Sequence, residues 1–193
     1  MKGRESGMPE ETYWNTFFNV DLALDALVGK SSIPGDLVEF GCGYGTFTLP
    51  VAKRVSGFVT ATDIDEEMIE FTRLKSLELG IKNIKVELRD VASEGTGLPD
   101  FSQSHVMIYN LLHLEEPISL LREAFRVLRP GGVLSMMHWR SDIKTPRGPS
   151  LEIRPKPEQC ISWINEVGFT RIQAIDLTIS CPFHFGLTAT RKA

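Results

Sequence analysis

The sequence predicts an α/β fold, a mainly parallel sheet with helices on both faces. Two observations predict it. Short apolar runs at 37–40, 58–62, 84–88, 105–109 and 133–138 alternate with helical runs of ten or more residues, which is the pattern of repeated βαβ units. The first of these runs also leads straight into Gly41-Cys42-Gly43-Tyr44-Gly45 and then a helical stretch over 46–55. A strand, a Gly-rich turn and a helix bring an unobstructed backbone and a helix N-terminus to one crevice, as in the first half of a nucleotide-binding unit.

The elements follow in order. A short helix over 10–18 is rich in large aromatics, and a second over 20–28 places Val20, Leu24 and Leu27 at helical spacing. Pro34 and Gly35 make a turn before the first strand. The helix over 46–55 carries Pro50 near its start, where a missing N–H costs least. A helix over 66–79 is expected to bury Met68, Ile69, Leu74, Leu77 and Leu79 and to stop at Gly80. The stretch 92–102, with Gly95, Gly97 and Pro99, reads as loop with room for one helical turn. A helix over 117–128 opens with proline and stops before Pro130-Gly131-Gly132. The four prolines between 139 and 157 mark a surface excursion. A last helix over 158–167 stops at Gly168, and strands over 169–177 and 183–190 pair as a hairpin.

A length of 193 residues suits a single domain with a sizeable core. Within it, 1–30 reads as an N-terminal helical cap, with 1–8 a mobile tail, and 139–157 as the substrate-side excursion. A net charge of -4 argues against a nucleic-acid or membrane-surface partner, since such proteins present a basic face. No apolar run approaches the roughly 20 residues that cross a bilayer, and 1–8 lacks an apolar signal-peptide stretch. Cys42, Cys160 and Cys181 are scattered without metal-ligand spacing, which fits a reducing cytoplasm and no metal site. A monomer or a homodimer is equally compatible with these features.

Glycine spacing separates two nucleotide classes. A dinucleotide turn needs glycine at its first, third and sixth positions. Here the sixth is Thr46, and the third glycine, Gly45, comes one place early, so an NAD-dependent oxidoreductase fails on spacing. The acidic-x-Gly-x-Gly-x-Gly form resembles motif I of class I S-adenosylmethionine (SAM) dependent methyltransferases. Further motifs follow in the family's order, from about residue 37 to residue 169, including Phe125-Arg126-Val127-Leu128-Arg129-Pro130-Gly131-Gly132, a structural turn. The resemblance implies a Rossmann-like class I methyltransferase fold with a mainly parallel seven-stranded sheet and an antiparallel last strand. It also implies SAM as cofactor, S-adenosylhomocysteine as product and, without an added domain, a small-molecule acceptor. A protein that binds SAM on this fold without turnover is the rival reading.

The resemblance assigns roles residue by residue. Gly41, Gly43 and Gly45 cradle the cofactor's amino-acid tail, with Cys42 a small filler between them. Glu39 either complements the ammonium or makes a structural hydrogen bond. Asp63, 18 residues after Gly45, accepts from the ribose diol, which an ionised carboxylate does well; Asp65 is left as a helix cap. Ile64 lies against the adenine. Asp90 accepts from the adenine amino group, with the Val91 N–H on a ring nitrogen, or else Asp90 is a turn residue. Asn110 touches the cofactor. His113 and His138 are candidate general bases, with packing as the alternative for His113. Tyr13 and Trp14 are candidates to face the sulfonium or to cover the sheet. Trp139 lies on the substrate side, where Arg140, Arg147 and Arg154 either grip an anionic group or are solvated.

Overall fold

The computed structural model describes residues 7–192. Two short helices, α1 (Glu11–Asn15) and α2 (Val20–Leu27), precede the alternating core. The core runs β1 (Asp36–Phe40), α3 (Thr48–Ala52), β2 (Val59–Asp63), α4 (Glu66–Glu78), β3 (Ile84–Leu88), α5 (Val91–Glu94), β4 (Gln103–Tyr109), α6 (Pro117–Val127) and β5 (Leu128–Trp139). A 3-10 turn (Leu151–Ile153), α7 (Pro157–Val167), β6 (Phe169–Ile175) and β7 (His184–Arg191) complete it.

The seven strands lie in the order β3-β2-β1-β4-β5-β7-β6. β1 to β5 pair in parallel, and β7 runs antiparallel to both β5 and β6. The chain starts at the middle of the sheet, moves to one edge and returns to the other side. The carboxyl ends of β1 and β4 therefore diverge at the switch point where open α/β sheets bind ligands.

Strand alternation explains why both faces are covered. Successive residues point to opposite sides of a pleated strand. Leu37, Met107 and Met137 enter a core with Phe17, Leu24, Phe47 and Val51 on one face. Their neighbours Val38, Ile108 and Met136 enter a core with Leu120, Leu121 and Ile164 on the other. Among the described residues no helix is long and apolar enough to cross a membrane.

Several boundaries differ from the sequence expectations for identifiable reasons. α3 is shorter than 46–55, because Gly45 to Phe47 belong to the turn and Val55 bridges back to Ile33. β5 starts at Leu128, not at 133. The Arg-Pro-Gly-Gly stretch stays extended and bulges, so the β4 register jumps from Gln103↔Leu128 to His105↔Val133. α4 buries Met68, Ile69, Thr72 and Ser76, whereas Leu74, Leu77 and Leu79 are 51%, 68% and 54% exposed. At 3.6 residues per turn Leu77 faces away from Met68. The Thr72 hydroxyl takes the buried place because it donates 2.8 Å to the Gly43 carbonyl. Of the expected tail over 1–8, residues 1–6 lie outside the described residues, and Gly7 and Met8 are packed onto the domain.

Candidate active site

The site begins where β1 ends. Gly41 has φ +74, a conformation that side chains rarely adopt, and a Cβ there would press on the Leu111 side chain at 3.0 Å. The turn is pinned from three directions. The Cys42 N–H donates 2.8 Å to the Thr62 carbonyl, the Gly43 N–H donates 2.8 Å to Asp63 Oδ2, and Thr72 holds Gly43 from α4. Asp63, at the end of β2, also accepts 3.1 Å from the Asp65 N–H, and burial raises its pKa. The Asp65 carboxylate caps α4 through the Glu67 N–H at 2.9 Å, as expected for a residue before a helix.

These strand ends open onto a cavity of about 510 Å³. Glu39, Gly41, Cys42, Gly43, Asp63, Ile64, Asp90, Val91 and Asn110 all line it. Gly45 does not; it packs behind the wall against Thr72 and Leu49. The Asp90 carboxylate is engaged as the cap of α5, accepting 3.1 Å from Ala92 N–H and 3.3 Å from Ser93 N–H. Burial pushes the Cys42 thiol well up, so it is no ready thiolate.

Two polar groups on this wall are withdrawn from water. Glu39 is 2% exposed, and burial pushes its carboxyl up to about 8, with the Asp63 charge adding to the rise and the Thr48 hydroxyl bond opposing it. Asn110, with φ +61 and its N–H donating 2.7 Å to the Met137 carbonyl, holds a buried Oδ1 that has no hydrogen-bond partner among the described residues. The Asn110 oxygen leaves room for a hydrogen-bond donor beside the Glu39 carboxyl.

The other half of the cavity is built from distant segments. Gly7, Met8 and Pro9 lie across the turn: the Tyr44 hydroxyl donates 2.7 Å to the Pro9 carbonyl, and an Arg147 Nη2 donates to the Gly7 carbonyl. Trp14, Phe47, Tyr109 and Trp139 give this half its aromatic walls. Tyr13, left open between facing the sulfonium and covering the sheet, is off the cavity, 44% exposed and edge-on to Phe17 at 4.9 Å. Of the three excursion arginines only Arg147 lines the cavity. Arg140 pairs with Asp142 at 2.6 Å in solvent. Arg154 is buried and ties the excursion together through the carbonyls of Pro149, Arg140 and Arg147 and the Thr145 hydroxyl.

His113 lines the cavity and His138 does not. His138 is fully buried behind it, its Nε2 3.2 Å from His113 Nδ1 and its Nδ1 3.1 Å from the Trp139 carbonyl. His138 is thus no direct catalytic contact, because no face of it reaches the cavity. Sequence reasoning missed Met8, Pro9, Phe47 and Tyr109 on the wall. Tyr109 stood beside a motif already singled out, but nothing local marks Met8 or Pro9.

Residues 37–132 match the family model of a methyltransferase domain. This chain belongs to the class I SAM-dependent methyltransferases. A Streptomyces fradiae protein described as an uncharacterized 37.1 kDa protein in transposon TN4556 is 35% identical over 77% of this chain and 45% of its own length. The ubiquinone biosynthesis O-methyltransferase of Xanthomonas campestris pv. campestris is 32% identical over 58% of this chain and 46% of its own. The chain thus spans about half the length of these curated relatives. In fold it is similar to a SAM-dependent methyltransferase from Aquifex aeolicus, with a TM-score of 0.77, 24% identity and coverage of 91% and 90% of the two chains.

SAM is the cofactor of the family, and the donor set of this chain fits it. Its ammonium matches the desolvated Glu39 carboxyl and the orphaned Asn110 oxygen, and its diol matches Asp63. The glycine turn adds no side chain of its own between the amino-acid tail and the backbone.

Proposed function

We propose that this chain methylates a hydroxyl oxygen on a small, largely apolar acceptor, with SAM as donor. The observation that carries the reading is the division of one cavity: a polar half at the ends of β1, β2 and β4, and an aromatic half whose candidate base is His113. The name of the Xanthomonas relative, an O-methyltransferase, supports an oxygen acceptor.

On this reading Glu39 and Asn110 hold the ammonium, Asp63 the ribose diol, and Ile64 and Val91 the adenine. Bound SAM supplies an electrophilic methyl whose leaving group needs no acid. The chain's own residues then do three things. Trp14, Trp139, Phe47 and Tyr109 hold the acceptor's apolar body so that its oxygen meets the methyl in line, a contribution worth about 7–11 kcal/mol when alignment is good. The segment at 7–9 and the Trp139–Arg147 excursion cover the cavity and exclude water. His113 takes the hydroxyl proton, a role that contributes about 10²–10⁴-fold.

The test is methyl transfer from methyl-labelled SAM to a panel of phenols, alcohols, amines and thiols of similar size. Label recovered in a methyl ether is the expected result. Tight SAM binding with label passed to nothing, or to nitrogen or sulfur alone, refutes the reading.

A further inference from the structure

We infer that His138 is a positioning residue that fixes His113 in the tautomer able to accept the acceptor's proton. This inference rests on the hydroxyl-methylation reading above.

Which atoms can donate decides the tautomer. His138 Nδ1 lies 3.1 Å from the Trp139 carbonyl oxygen. A carbonyl only accepts, so Nδ1 carries the hydrogen. A neutral imidazole has one N–H and one lone pair, which leaves His138 Nε2 as an acceptor. That Nε2 is 3.2 Å from His113 Nδ1, so on this inference His113 donates from Nδ1, and the Asn110 backbone, which also bonds the His113 ring, shares that N–H. The lone pair of a neutral His113 is then on Nε2. The backbone of β5 thereby sets the chemistry of a side chain on the cavity wall, through one buried ring.

The surroundings keep both rings neutral. His138 is buried, which pushes its pKa down to about 3, and the charges of His113 and Arg154 push the same way. His113 is lowered by burial and by Arg154, against a backbone hydrogen bond to Asn110. Across the β5–β7 pair, His184 is also buried and pushed down to about 3. No carboxylate is among the groups that shift any of the three. A neutral His113 at pH 7 is ready to gain a proton rather than lose one.

The step balances. The acceptor oxygen forms a bond to the methyl carbon as the carbon–sulfur bond breaks, and that electron pair stays on sulfur. The hydroxyl proton passes to His113 Nε2. The resulting imidazolium keeps its Nδ1–H bonded to the neutral His138 Nε2, and the proton returns to solvent when products leave.

The first readout is ¹⁵N NMR of the imidazoles in the SAM-free protein at pH 7.5. Wild type should show His113 as the Nδ1–H tautomer, and His138→Leu should shift it towards Nε2–H. The second is kinetic. His138→Leu should lower kcat about 10- to 100-fold, with acceptor KM and SAM affinity within about twofold. His138→Gln should recover most of kcat, because its Oε1 accepts from His113 Nδ1–H. A wild-type His113 found as Nε2–H overturns the inference whatever the acceptor, and it needs no variant to fold. A folded His138→Leu with unchanged kcat overturns it too. Methylation of amines or thiols alone, with the tautomer as expected, instead overturns the hydroxyl reading and with it the catalytic use of the pair.

Discussion

The two halves of the cavity are built by different means. The polar half stands on the ends of adjacent parallel strands, and its residues are held by backbone hydrogen bonds: Gly43 N–H to Asp63, Cys42 N–H to Thr62, Asn110 N–H to Met137. The aromatic half joins segments more than 100 residues apart. Gly7, Met8 and Pro9 meet Arg147, and Trp14 meets Trp139 at 6.3 Å between ring centroids. A ligand that never changes is read by the scaffold, and a variable one by what is laid over it. The two halves should therefore fail separately.

The largest separation is expected from Asp63→Ala. It removes the carboxylate proposed to accept from the diol and leaves the Gly43 N–H without its partner. A charged hydrogen bond contributes about 1.5–3 kcal/mol, so losing the diol's acceptor weakens SAM binding by about 10- to 100-fold in titration calorimetry, with fluorescent acceptor analogues still binding. Equal loss of both ligands would break the comparison.

The opposite case is Trp139→Ala. This buried ring packs on Phe17 at 5.4 Å and His184 at 4.1 Å, so its loss costs about 3–5 kcal/mol of stability, visible in thermal melting. Acceptor KM should rise about tenfold or more, as expected when interface aromatics worth over 1.4 kcal/mol are lost, while SAM affinity holds within about threefold.

A pH test sharpens the polar half. The Glu39 carboxyl rises from 4.5 to about 8 on folding, so between those values the folded state binds more protons and stability falls as pH rises. Buried His105, His138 and His184, lowered from 6.5 to about 4, 3 and 3, act in the other direction below 6.5. There the unfolded chain takes up protons that the folded chain refuses, and acidification destabilises. From 6.5 to 8 Glu39 acts without them. Stability should decline there by at most about 1.4 kcal/mol per pH unit, and Glu39→Gln should flatten the decline. Calorimetry in buffers of different ionisation enthalpy should show proton release on SAM binding at pH 7, absent in the variant.

The smallest effect belongs to the cover. Tyr44→Phe removes one hydrogen bond of 2.7 Å to Pro9, worth about 1 kcal/mol. SAM dissociation in stopped flow should quicken about fivefold, with catalysis at saturation nearly unchanged.

The same contrast explains what the sequence could disclose. The alternating strands and the glycine turn were legible because each answers a local demand, a pleat period or a left-handed φ; Glu39 and Asp63 were singled out through the family resemblance, and both line the cavity. The exposed face of α4 was misjudged because Thr72 is buried by a hydrogen bond to Gly43 rather than by hydrophobicity. Tyr13 stood open between the wall and the sheet, and Met8 went unmarked, since the path of residues 7–9 is set by contacts with Tyr44 and Arg147, far along the chain. Arg154 carries the same charge as Arg147, and only its carbonyl partners show that it braces the excursion. His138 entered as a possible base, and only its place behind His113 gives it a different role.

A crystal structure with S-adenosylhomocysteine bound tests the two-part cavity most directly. The account predicts the ribose diol on Asp63, the ammonium beside Glu39 and Asn110, and the sulfur facing the chamber between His113, Trp14 and Trp139. A ligand whose sulfur points away from that chamber, or whose ribose lies elsewhere than Asp63, would contradict it.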